Sequence, residues 1–207
     1  MNDKPQYMNF LFLRLDPAYH QLMINEKVVA KQEFMASFDT FQSKMPVASY
    51  VMTGLRADCD VLLWRVSQSL DELHHMACRL QDSGIGRFLY PVYSFLGTVL
   101  GAQYAPPPQV YGKPPSPCPI GNSPYLFVRP LSAKAAARLA RTPRLHVADC
   151  SGLDDQECVL AFETSDLAEY RALLSDVESA NGSSEGSGPP NFACLLREMR
   201  DIVDSLG

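Results

Sequence analysis

A catalytic or metal site in this chain would have to draw on four histidines, at 20, 74, 75 and 146, on six cysteines and on a run of carboxylates. His74 and His75 are adjacent on an expected helix, about 100° apart, so they cannot face one metal side by side. They and His20, near a helix start, read as surface residues. His146 lies in an expected strand. The cysteines (59, 78, 118, 150, 158, 194) form no CxxC pair and no tight metal spacing, so they read as reduced thiols rather than a disulfide framework. Cys150 and Cys158 flank a turn in which no cation is certain to lower a thiol pKa, and they read as small buried apolar residues.

Asp154, Asp155 and Glu157 could form an acid/base pair or a metal cluster. Asp58 and Asp60 occupy the corresponding place about a hundred residues earlier, which points to turn and strand-entry roles instead. Lys134, Arg138 and Arg141, at i, i+4 and i+7, share one face of a short helix, with Arg129 and Arg144 just outside it. In a chain of net charge −5 this is the one concentrated basic patch. It reads either as a solvated face or as a docking surface for an acidic partner, an anionic lipid or a carboxylate ligand. No Gly-rich phosphate loop, HExxH or GxSxG is present. The acidic balance argues against a nucleic-acid binder. The sequence offers no signal-peptide pattern and no apolar run that could span a bilayer, and it reads as cytoplasmic.

The elements that must position these residues come in two similar sets. "GLRADCDVLLWRVSQSLDEL" (54–73) and "GLDDQECVLAFETSDLAEY" (152–170) each run from Gly-Leu through an acidic turn into an apolar strand and a helix start. Strands are expected at Tyr7–Leu15, Ala48–Leu55, Cys59–Ser67 and Val92–Gly101. One helix is expected from Tyr19 to about Lys44. A second is capped by Ser69 with Glu72 in a capping box, carries an apolar stripe of Leu70, Leu73, Ala77 and Leu80, and stops near Gly84.

Residues 105–124 hold half of the prolines and read as an exposed, extended linker or arm. The plan then restarts: strands at Pro124–Leu131, in "RLHVADC", in "CVLAFETS" and in "NFACLL", helices over Ser132–Pro143 and in "DLAEYRALLSDVESA", a loop "NGSSEGSGPP" and a terminal helix. The expected fold is α+β, two tandem ferredoxin-like halves forming a dimeric α/β barrel within one chain. Its parts are residues 1–104, the arm 105–124, and residues 125–207 with a shortened crossover helix.

"NFLFLRLDPAY" (9–19), "YVMTGLRADCDVLLWRVSQSLDEL" (50–73), "YSFLG" (93–97) and "GLDDQECVLAFET" (152–164) together resemble the chlorite dismutase / coproheme decarboxylase superfamily. The resemblance implies a barrel within each chain, ring-shaped homo-oligomers and, in active members, haem in the second half. It also implies an axial histidine on the helix between the fifth and sixth strands and a distal polar residue in the strand before GLDD. The corresponding helix here is "SAKAAARLART", without histidine, tyrosine or methionine, and the distal position falls on Leu145. If Leu145 faces that pocket, strand alternation turns His146 away from it.

The expectation is therefore a family member without cofactor that has lost haem catalysis and acts as a binding or structural accessory subunit. Its protein partner would dock through the basic helix 132–142 (Lys134, Arg138, Arg141, with Arg144) and/or the arm 105–124. The alternative is a haem b or coproheme oxidoreductase with an atypical ligand, His146 being the histidine near the expected pocket, or with a ligand from a neighbouring subunit. A third reading is a haem-free barrel enzyme of the monooxygenase type, which needs an interior base.

Overall fold

The computed structural model describes residues 5–100, 104, 120–139, 142, 144–181 and 190–207; the side chains of 177–181 lie outside that description. Eight antiparallel strands close into a barrel in the order β1-β3-β2-β8-β5-β7-β6-β4. They are β1 (Tyr7–Leu15), β2 (Val47–Val51), β3 (Val61–Ser67), β4 (Leu89–Leu100), β5 (Tyr125–Leu131), β6 (Leu145–Asp149), β7 (Cys158–Thr164) and β8 (Phe192–Leu196). The described helices are α1 (Ile24–Gln42), α2 (Leu70–Gln81), α3 (Ala133–Leu139), α4 (Leu167–Asn181) and α5 (Met199–Ser205). None is long and apolar enough to cross a membrane. The chain is thus a mixed α/β barrel. Closure gives each of these eight strands a neighbour on both sides, which limits the edge-to-edge association that an open sheet invites.

Alternation along each strand sorts the side chains into two environments. Met8, Phe10 and Phe12 of β1, Leu62, Trp64 and Val66 of β3, and Val159 and Ala161 of β7 fill the barrel interior. The opposite residues, among them Leu11, Leu13, Val61 and Leu63, face α1, α2 and α5. In the later part of the chain Phe127, Leu160 and Phe162 face α3 and α4. β1 and β3 are buried on both faces, which is why they read as continuous apolar runs.

Several expected boundaries shift. The helix expected from Tyr19 is a 3-10 turn at Pro17–Gln21, and then α1 starts at Ile24. Asp16 caps that turn, accepting from the Ala18 N–H at 2.8 Å. The second strand ends at Val51, because Met52 turns back on itself: its carbonyl takes the N–H groups of both Leu55 and Arg56. Ser69 caps α2 by accepting the Glu72 N–H, but the Glu72 carboxylate takes the Ser67 hydroxyl instead of closing the capping box. The buried stripe of α2 is Leu73, Met76 and Leu80, with Leu70 exposed.

The arm 105–124 is described only from Ile120 onward. Residues 105–119 lie outside the described residues, as does Cys118. Ile120 is buried in the barrel interior, and Gly121 sits against Ala48, where a Cβ would stand 2.9 Å from the alanine's own. An apolar side chain at the end of a proline-rich run found more burial inside the barrel mouth than along an extended linker.

Candidate functional site

Among the described residues the barrel interior is largely apolar and carries polar groups toward its ends, the first of them centred on Glu163. Glu163 occupies an inward position of β7, in step with Val159 and Ala161, and is 3% exposed. A buried carboxylate needs donors, and three converge on it. The Asn122 N–H donates to Oε1 at 2.8 Å, the Tyr50 hydroxyl donates to the same oxygen at 3.4 Å, and His146 Nε2 stands 3.4 Å from Oε2. His146 reaches in from β6, where it is paired across the ladder with Ala161, so Glu163 is its diagonal neighbour on the same face.

The other ring nitrogen of His146, Nδ1, bonds the Tyr104 hydroxyl. The Trp64 ring packs edge-on against the imidazole, centroids 4.8 Å apart, and its indole N–H is buried without a hydrogen-bond partner among the described residues. Tyr104 is itself held at both ends of its backbone: the Gln6 side-chain amide donates to its carbonyl and accepts its N–H, each at 2.6 Å. Burial, and then the Glu163 charge, push the Tyr104 phenol well above its ordinary value. Phenol, imidazole and carboxylate thus form a connected chain, a hydrogen bond between Tyr104 and Nδ1 followed by a 3.4 Å contact from Nε2 to Glu163, an arrangement that in general moves or stores a proton.

At the other end of the interior Arg56 and Asp58 make a two-bond pair at 2.7 and 2.6 Å. The guanidinium also lies 4.5 Å over the Phe192 ring, and the Tyr93 hydroxyl donates to Asp58 at 2.9 Å. The Arg56 bonds, followed by that of Tyr93, hold the Asp58 carboxyl well below the usual carboxylate range. A carboxyl depressed by folding adds stability above its unfolded value, and that stability is lost as pH falls through the folded value. Arg56→Gln is therefore expected to lower the urea midpoint by a constant amount from pH 7 down to about pH 5. Below about pH 4 the gap from the native protein should narrow. Urea titrations at stepped pH check this; a gap independent of pH would assign the cost to lost packing on Phe192 alone.

His146 is a strand histidine with 13% of its side chain exposed, and both of its nitrogens face partners. Leu145 lies on the opposite side, packed against the cluster under α3 and α4. Lys134 and Arg138 are exposed on α3, and Arg141 lies outside the described residues. Arg144 is bound to Glu169 at 3.0 Å and adopts a left-handed φ of 61°. The acidic turn does structural work: Asp154 accepts the Leu96 N–H, Glu157 accepts the Ala133 N–H, and Asp60 accepts the Leu15 N–H. Among the described residues no group of three or more His, Cys, Asp and Glu side chains is placed to hold a metal ion. Burial raises the thiols of Cys150, to about 12, and of Cys158 and Cys194, which is the opposite of a reactive thiolate.

Sequence reasoning missed the Glu163–His146–Tyr104 chain. It also missed Arg65, a 3%-exposed guanidinium whose desolvation brings it down to about 10 and which donates to the Leu73 carbonyl and to Asn9.

The class of fold this chain adopts is a helix-clad closed antiparallel barrel. The sequence profile of the chlorite dismutase family matches residues 27–139, and the chain belongs to that family. Among curated protein sequences none matches the chain. Solved structures do. Chlorite dismutase from Candidatus Nitrospira defluvii in complex with imidazole superposes with a TM-score of 0.74 at 18% identity, over 97% of this chain and 94% of that one. A mutant of the same enzyme gives 0.76 at 18% identity, over 99% and 96%. A heme-binding protein from Thermus thermophilus gives 0.73 at 18% identity, over 98% and 94%. At these identities the likeness establishes the fold.

The family implies haem between α3 and the outward side of β5, β7 and β6. That face is one apolar cluster. Ala135, Ala136 and Leu139 of α3 meet Phe127, Leu131, Val147, Leu160 and Phe162, with Tyr170 stacked on Phe127 at 3.8 Å. Its donor atoms are the Cys158 thiol and the Tyr170 phenol. Burial raises both, the phenol to about 12, and the phenol already donates to Asn191 at 2.5 Å. An iron ligand must shed its proton or offer a neutral imidazole, and among the described residues of this cluster there is no imidazole. These side chains do not fit a haem held on that face.

Proposed function

We propose that this chain is a chlorite dismutase family barrel that has given up haem catalysis and serves in the cytoplasm as a binding or structural accessory subunit. The strand runs β4-β1-β3-β2 and β8-β5-β7-β6 support reading it as two ferredoxin-like halves in tandem. One observation carries the functional reading: α3 lays alanines and a leucine directly on the sheet, where an active relative would need an axial ligand and space for a macrocycle. The exposed Lys134 and Arg138 leave α3 an outward basic face for an acidic protein partner, with the arm 105–124 as a second contact. Haem titration of the purified protein, with coproheme in parallel, tests the reading through absorbance in the Soret region. The expected result is no saturable, stoichiometric band at micromolar haem. Such a band would overturn it.

The second reading, a haem- or coproheme-binding oxidoreductase with an atypical ligand, is favoured by family membership and by the neighbour named as heme-binding. Under it, a Soret band lost in His146→Ala would identify His146 as the ligand. That would require the imidazole to leave either Glu163 or Tyr104.

A further inference from the structure

We propose that the Tyr104–His146–Glu163 chain is a proton-operated latch, in which protonation of His146 tightens its hold on Glu163 and loosens Tyr104 from the barrel. This stands apart from the haem reading, because it concerns the interior face of the sheet.

The argument is one of hydrogen-bond directions. A neutral imidazole donates from one nitrogen and accepts at the other. With a carboxylate facing Nε2, that nitrogen carries the proton, and Nδ1 accepts from the Tyr104 hydroxyl. Nδ1 is then bonded by the phenol O–H, and the Nε2–H faces the carboxylate 3.4 Å away. Adding a proton puts it on Nδ1, and the ring becomes a donor at both ends. Toward Glu163 the contact turns from ion–dipole to a buried ion pair and strengthens. Toward Tyr104 the bond can persist only with the phenol oxygen accepting, which leaves the phenol's own proton to be placed. No second acceptor bonds that hydroxyl among the described residues; its ring packs on the imidazole within the apolar interior cluster, with the Glu163 charge near enough to act on the phenol. An unplaced donor in such surroundings is costly.

Among the described residues the other polar anchors of Tyr104 are two, both supplied by the neutral amide of Gln6. The proton reaches His146 from solvent, since 13% of its side chain is exposed. Among the described residues the titratable groups around the imidazole are Glu163 from β7, Tyr104 after β4, and Tyr50 of β2 acting through Glu163. β3 contributes the non-titrating Trp64, and Asn122, before β5, contributes a backbone N–H to Glu163.

Trp64 is the chain's one tryptophan and touches the imidazole edge-on, so its fluorescence reads the proton directly through quenching by imidazolium. The full-length protein is titrated between about pH 8 and about pH 5, the window in which imidazoles generally change charge. The expected result is one sigmoidal quench as pH falls, abolished in His146→Gln. In Glu163→Gln the same quench moves to lower pH, because the anion that favours imidazolium is gone. A parallel hydrogen-exchange measurement follows the Tyr104 amide. After correction for intrinsic exchange, it loses protection below the midpoint in the native protein and keeps it in His146→Gln. Absence of the quench, its survival in His146→Gln, an unmoved or raised midpoint in Glu163→Gln, or a Tyr104 amide indifferent to the transition would each overturn the latch. Circular dichroism at both pH extremes separates these outcomes from unfolding.

Discussion

Gly84→Ala is expected to unfold the protein or to cost it about 2–5 kcal/mol, the sum of an overpacking clash and a left-handed backbone penalty. Gly84 has a φ of +45°, and a Cβ there would stand 1.8 Å from the Ala30 carbonyl oxygen and 2.6 Å from its carbon. The obstacle is the backbone of α1, which cannot swing aside as a side chain would. Two residues on, a Cβ at Gly86 would meet the Leu80 carbonyl oxygen at 1.7 Å. The turn at Gly84–Phe88 is therefore wedged between α1 and α2 at the point where α2 hands over to β4. Gly54→Ala is the control. Its φ is +78°, with nothing within 4 Å of the added Cβ, so it should show only the conformational penalty of about 1–2 kcal/mol. Urea unfolding of the two variants side by side checks the prediction. Equal losses would mean that the turn moves off α1 freely.

The contrast between those glycines shows what the sequence made legible. Gly84 reads as a helix stop from its place after the stripe of α2, and α2 ends at Gln81, with Gly84 opening the next turn. Its tight approach to α1 depends on a helix some fifty residues earlier, and no local pattern encodes it. The same division holds for the site. Period-two alternation places Leu145 and His146 on opposite faces, and they are on opposite faces. What alternation leaves open is what waits on the inner face. Closure brings β6 between β7 and β4, so an imidazole at 146 meets a carboxylate at 163 and a phenol at 104.

One signal was available. In "CVLAFET" the glutamate keeps step with Val159 and Ala161, and a carboxylate on the inward register of an apolar strand demands a partner. His146, two residues out of register across the ladder, is the partner that demand would have selected. Tyr104 could not be selected in this way. It sits beside the proline-rich run, and its burial follows from Gln6, at the entry to β1, bracketing its backbone.

Replacing Glu163 by leucine, close in size and without charge, should cost about 1–3 kcal/mol, because it leaves buried donors without the acceptor they converge on. The Asn122 N–H and the Tyr50 hydroxyl lose this acceptor, and His146 loses the carboxylate that fixes which nitrogen carries its proton. The more informative comparison is the double variant His146→Leu/Glu163→Leu. If the pair is a coupled unit, removing both partners costs less than the two single losses added together. The coupling energy in a double-mutant cycle should then fall in the range of about 0.5–3 kcal/mol seen for residues in contact. Full recovery is not expected, since the Asn122 N–H and the Tyr104 hydroxyl were bound to different members of the pair. Denaturant midpoints of the four proteins measure the cycle at neutral pH. Repeating it at pH 5 asks whether the coupling grows as the imidazole gains charge, which a hydrogen bond between neutral imidazole and carboxylate alone would not produce. A cycle that closes with additive losses at both pH values would reduce the interior chain to two separate packing contacts, and the barrel would then owe its closure to the apolar interior alone.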